Sequence, residues 1–254
     1  MREARLLWWL FAIVPLLQSA RPAQHQKVLI AAAADLRYAM DTLAAVYKQA
    51  HPGSDVQVVY GSSGNFYEQI RNGAPFDLFF SADRNYPDQL QTQGKVLGTV
   101  TDYGIGRLVL WSLKLDPAVL GIHTLEDPAV SRIAVANPDH APYGKRAVES
   151  LHYYGIYDKV SPKLVYGENI AQTAQFAMSG STDAGIIALA LALSPPMRQT
   201  GGKYWVIPDE SHGRLEQGYA LLPHARGNSD ALDFQAFIHS ASARSILTRF
   251  GFNP

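Results

Sequence analysis

Cysteine is absent from the 254-residue chain, which excludes disulfides, thiolate catalysis, Cys-ligated zinc and iron–sulfur clusters together. A lipid-attachment signal, which needs a Cys at its cleavage point, is excluded with them. An excess of either charge is also missing, since Lys plus Arg and Asp plus Glu each number 22. No nucleic-acid footprint or anionic membrane surface is marked, so a partner has to be sought at a local site. Charged residues are sparse at 17% beside 47% hydrophobic, the balance of a packed chain and not of a solvated tail. Metalloprotease, nucleophile-elbow and phosphate-loop motifs are lacking, and His123, His140, His152, His212, Asp139 and Glu210 are poorly spaced for shared catalysis. The reading is therefore a protein without enzyme activity or cofactor. Internal repeats and low-complexity segments are absent as well.

What is present begins with a secretory pattern. Arg2 and Arg5 precede an apolar run over 6–17, shorter than the roughly 20 residues that span a bilayer, and Ser19, Ala20 and Ala23 offer cleavage points. Residues 1–23 read as a signal peptide, which leaves a mature protein free in the periplasm of a bacterium with an outer membrane. An uncleaved anchor is the alternative for the same run.

From Lys27 onward, short apolar strands alternate with amphipathic helical stretches, the pattern of βαβ units around mostly parallel sheets. Strands are expected at 28–32, 55–60, 76–80, 133–136, 163–166, 184–187 and 217–222. Helices are expected after 35, with Leu36, Met40, Leu43, Ala44 and Tyr47 on one face, after Gly64, with Phe66 and Ile70 and a stop at Asn72-Gly73, and at 86–93, 144–153, 170–179 and 230–249. An extended run from Arg107 reads as a crossover. The lobes so defined are 24–106 with 219–254, and 107–218.

Three strand-to-helix turns carry the chemistry: Ala34-Asp35, Ser62-Ser63-Gly64 and Asn169-Ile170. Helix N-termini at the carboxyl ends of strands present unpaired N–H groups and a favourable dipole to an anion. Taken singly, each turn has an ordinary reading. Ser62 or Ser63 caps its own helix, and Asp35 does the same with its carboxylate turned toward that helix, away from an anion it would repel. Tyr143, between Pro142 and Gly144, is either a loop-packing aromatic or a hydroxyl donor.

Seven stretches together say more: AAAADLRYAM (31–40), YGSSGNFYEQI (60–70), GAPFDLFFSAD (73–83), IGRLVLW (105–111), ANPDHAPYGKRAVESL (136–151), GENIAQTAQF (167–176) and DAGIIA (183–188). In them the chain resembles the molybdate-binding proteins of ABC importers along nearly all of its mature length. The resemblance implies a type II periplasmic binding fold, two α/β lobes joined by two crossover strands, closing over molybdate or tungstate. It also implies delivery to a membrane ABC permease by a monomer. Carried over by position, the oxyanion contacts fall on Asp35, Ser63, Tyr143 and Ile170, with Ala34 and Ser62 as possible additions. They meet the anion's oxygens, so no direct metal ligand is implied. A further family tyrosine falls on Ala188, which has no hydroxyl, and Tyr143 is the candidate to replace it. Asp35 stands where the family has Ser or Asn. It leaves either a main-chain donor alone or a carboxylate suited to a different, protonated oxyanion.

Two rival ligands use the same fold. A ferric ion would draw on the Tyr153-Tyr154 pair, whose apolar neighbours favour core packing instead. An organic acid would want an arginine in the cleft, and Arg37 and Lys145 are the near candidates.

Overall fold

The computed structural model describes residues 25–253; the signal-peptide reading of 1–23 lies outside them. Two five-stranded sheets are formed. The first contains β1 (Lys27–Ala33), β2 (Asp55–Gly61), β3 (Leu78–Ser81), β4 (Leu97–Gly106) and β10 (Leu215–Leu221), in the order β2-β1-β3-β10-β4. The second contains β5 (Leu108–Ser112), β6 (Ile133–Ala136), β7 (Leu164–Gly167), β8 (Ala184–Ala188) and β9 (Lys203–Val206), in the order β7-β6-β8-β5-β9.

Both sheets are mixed and mostly parallel: in each, four of the five strands run one way and one runs against them. β1 runs parallel to β2 and β3, but β10 is antiparallel to β3 and β4. In the second sheet, β6 is parallel to β7 and β8 whereas β5 is antiparallel to β8 and β9. The strands that run against the rest, β5 and β10, are those by which the chain enters each sheet from the other. β4 passes into β5 through Arg107, and the chain returns over 207–214 into β10, which starts at Leu215, earlier than the boundary at 219 read from the sequence.

Helices of eight or more residues are α1 (Arg37–Ala50), α2 (Ser63–Arg71), α3 (Asn85–Thr92), α4 (Pro142–Tyr153), α5 (Ile170–Met178), α6 (Ser229–Ile238) and α7 (Ala241–Arg249). The first sheet is buried on both faces. Ile30 and Ala32 pack with Met40 and Leu43 of α1 and with Phe234 and Leu247 of the last two helices. Ala31 and Phe79 face the other way, onto Phe66 and Ile70. This double burial explains why β1 reads as an unbroken apolar run. Asp77 ties the sheet locally, its Oδ2 accepting the Leu29 N–H at 2.7 Å.

Three sequence expectations need correction. The closing helix is two, because Ser240 interrupts it and caps α7 by accepting the Ala243 N–H at 3.1 Å. β4 and β9 were not anticipated; β4 carries Thr99, Thr101, Asp102 and several glycines, so no apolar alternation marks it. Tyr153, expected in the core, is 59% exposed, while Tyr154 does pack against the second lobe's interior.

Candidate functional site

The carboxyl ends of β1, β2 and β6 and the N-termini of the elements after them meet where the two sheets face each other. A narrow space of about 10 Å³, partly open to solvent, is lined there by Ala34, Asp35, Ser62, Ser63, Ala82, Pro142, Tyr143 and Ile170, among others. All six positions singled out in the sequence line this one space. In this closed arrangement the lobes leave room for about one water molecule, so an anion enters as the lobes part and is then enclosed by the same lining.

Each turn supplies the lining for a local reason. Ser62 is the N-cap of α2, its Oγ accepting the Asn65 N–H at 3.4 Å. Ser63, fully buried, uses its Oγ to accept the Ala82 N–H at 3.0 Å, which leaves its own proton for another acceptor. Asn169 caps α5 by accepting from Ala171 and Gln172 at 3.0 and 3.1 Å, and the Ile170 N–H has no acceptor among the described residues. Pro142 occupies the first turn of α4, where a missing N–H costs nothing. The arrangement offers main-chain N–H groups and a serine hydroxyl to a group that accepts hydrogen bonds, with the positive ends of helix dipoles behind them.

Asp35 departs from its expected role. No side chain caps the short 3-10 turn Ala34–Leu36, and Asp35 lies inside that turn, 1% exposed. Its carboxylate is bound by two distant side chains: Oδ2 accepts from the Tyr143 hydroxyl at 2.9 Å and from Gln217 Nε2 at 2.9 Å. Gln217 Nε2 also donates to the Tyr143 Oη at 3.0 Å. Tyr143 therefore spends its proton on Asp35, which corrects the expectation that it serves the ligand in place of a hydroxyl at position 188. Ala188 itself is buried and does not line the space. Burial pushes the Asp35 carboxyl up to about 6, against the opposing hydrogen bonds from Gln217 and Tyr143. Burial, with Asp35 nearby, likewise holds the Tyr143 hydroxyl well above its ordinary value.

Gln217 and Gly106 were missed in the sequence. Gln217 follows Leu215 and precedes Tyr219 on the inward side of β10, and the ladder to β4 is irregular immediately after it, a bulge of the kind that re-aims a side chain. A buried amide on an inward strand position was the available signal. Its partners lie 74 and 182 residues away, beyond any local pattern.

The lobes are tied together at the rim. The Gly64 N–H donates to the His140 carbonyl at 3.0 Å, His140 Nδ1 lies 2.9 Å from Ser62 Oγ, and Asn65 Nδ2 donates to Glu168 Oε1 at 2.8 Å. A Cβ on Gly64 would sit 2.7 Å from the same carbonyl, so glycine permits this approach. His140 thus proves to be a rim residue of the cleft. Among the described residues no cluster of three or more His, Cys, Asp or Glu is placed to hold a metal ion.

Two mixed sheets linked by two crossovers, with helix N-termini converging in the cleft, define a two-lobed type II periplasmic binding protein fold. The chain belongs to the family of bacterial extracellular solute-binding proteins, which residues 28–253 match. It is 32% identical over 235 residues to the molybdate-binding protein ModA of Rhodobacter capsulatus, covering 92% of this chain and 90% of that one. With ModA of Azotobacter vinelandii it shares 32% identity over 231 residues, 91% of each chain. The solved Azotobacter vinelandii periplasmic molybdate-binding protein superposes with a TM-score of 0.81 at 28% identity, over 90% of this chain and 99% of that one.

Proposed function

We propose that this protein captures molybdate or tungstate in the periplasm, as a monomer, and delivers it to the permease of an ABC importer without catalysing a reaction. The single observation that carries the reading is the small space lined jointly by Ala34, Asp35, Ser62, Ser63, Tyr143 and Ile170. Its N–H groups and the Ser63 proton suit a fully oxygenated anion, and the molybdate-binding relatives supply the identity of that anion.

Residues 25–106 with 215–253 form one jaw and 108–206 the other, with the crossovers between them as hinge. Tetrahedral dianions of different size are told apart by fit. A cleft shaped for the larger ions leaves sulfate short of several donors, each worth on the order of 1.5–3 kcal/mol when charge-assisted. A thermal-shift panel tests this: molybdate and tungstate raise the melting temperature strongly and sulfate little. A shift with only sulfate, phosphate, ferric ion or a carboxylate overturns the assignment.

A further inference from the structure

Apart from the Tyr143 phenol, the Asp35 carboxyl is the one ionisable side chain among the described residues that lines the cleft, and burial outweighs the hydrogen bonds, all from uncharged donors, that favour its charged form. From α4 it meets the Tyr143 hydroxyl and from β10 the Gln217 amide, both neutral. The Tyr103 hydroxyl of β4 is directed to the Ser81 carbonyl at 3.1 Å. The α2 and α5 termini bring Ser62, Ser63 and Ile170 to the same space. The nearby cations are engaged elsewhere or face solvent: Arg37 lies over the Tyr60 ring at 5.8 Å, Arg146 bonds Glu149 at 2.7 Å and approaches Asp83 at 3.9 Å, and Lys145 is exposed. No lysine, arginine or histidine among the described residues bonds the carboxyl. Its Oδ1 is buried without a hydrogen-bond partner.

A dianion placed in this space stands beside that carboxyl in a site largely shielded from water, where like charges repel strongly. Protonation removes the repulsion. It also turns the buried, unpartnered oxygen into an O–H donor for an acceptor such as an anion oxygen. We propose that Asp35 meets the bound oxyanion as a neutral carboxylic acid, held in place by Tyr143 and Gln217, so that capture takes up a proton and weakens as pH rises. This rests on the oxyanion reading above. The proton added to the carboxyl comes from solvent, so the uptake is visible as buffer protonation. Because burial already pushes the group up to about 6, affinity should fall about tenfold per pH unit above that value, as the competent neutral form becomes rarer.

The experiment is titration calorimetry of the full protein with molybdate, run near pH 8 and near pH 5.5 in buffers of different ionisation enthalpy. The expected result is uptake of about one proton per anion near pH 8 and much less near pH 5.5. The Asp35→Asn variant, whose amide donates without a proton, should bind more tightly than the unsubstituted protein near pH 8 and show no proton uptake. Tight molybdate binding by the unsubstituted protein with no proton uptake overturns this inference alone. Uptake that persists in Asp35→Asn also overturns it, because the proton then resides elsewhere. Binding of no oxyanion at either pH overturns the proposed function and this inference with it.

Discussion

Gly106 lies so close to the Tyr143 hydroxyl that a single methyl on its Cα would collide with it and with Gln217 Nε2. The last residue of β4 is therefore part of the site, because it makes room for the hydrogen-bonded set that holds Asp35. Gly106→Ala should cost about 1–3 kcal/mol of stability, as overpacking of a filled interior does, and should weaken anion binding by displacing Tyr143. Chemical denaturation and a binding titration on the same variant check this. An unchanged midpoint would mean that the cluster is looser than its geometry implies.

On the proposed function, Ser63 offers its hydroxyl proton to the anion. Ser63→Ala removes the hydroxyl offered to the anion and leaves the Ala82 N–H, now bonded at 3.0 Å, without its acceptor. Affinity for molybdate should drop by about 1–3 kcal/mol, read by calorimetry, with a smaller fall in melting temperature. Full affinity would remove Ser63 from the site. That Ser63 and Ile170 line the cleft was legible in the sequence because strand, small-residue turn and helix stand consecutively in the chain. What Asp35 does was not legible. Its position suggested a cap, but the 3-10 turn begins at Ala34 and places Asp35 one step inside, facing two residues from distant segments. The sheets were legible where strands are buried on both faces, as β1 is. They were illegible in β4, whose polar residues and glycines leave no period.

Stability should respond to pH through two carboxyls of opposite behaviour. Asp35 has a folded value of about 6, above its ordinary 3.8, so the folded state binds that proton more tightly than the unfolded chain. Its contribution is complete below about 3.8 and is lost as pH rises through about 6. Asp183 is held low by the Ser131 N–H at 3.0 Å, by Lys114 at 3.0 Å, and by the Ser131 hydroxyl and the Arg132 N–H. Its contribution is present above the ordinary carboxylate range and is lost as pH falls below it. Without ligand, Asp35→Asn should gain stability over the unsubstituted protein between pH 5 and 7, and Asp183→Asn should lose it there. Melting curves across pH measure both. The same direction of change in both variants would contradict the assignment.

At the rim, the Asn65 to Glu168 hydrogen bond joins the lobes across the mouth of the cleft. Both partners are near the surface, so its strength should be that of an exposed pair, about 0–1 kcal/mol. Asn65→Ala should release molybdate up to about fivefold faster with little change in capture rate, which stopped-flow dissociation measures. A slower release would mean that this contact holds the lobes apart.

On the proposed function, the anion sits between Ser63 on one lobe and Ile170 on the other. A crystal structure with tungstate, located by its anomalous scattering, tests it most directly. The predicted result is one strong peak within hydrogen-bonding reach of Ser63 Oγ and the Ile170 N–H, with Asp35 beside it. A peak only in the groove beside Arg107 and Arg214 at the crossovers, with the cleft empty, would contradict the account.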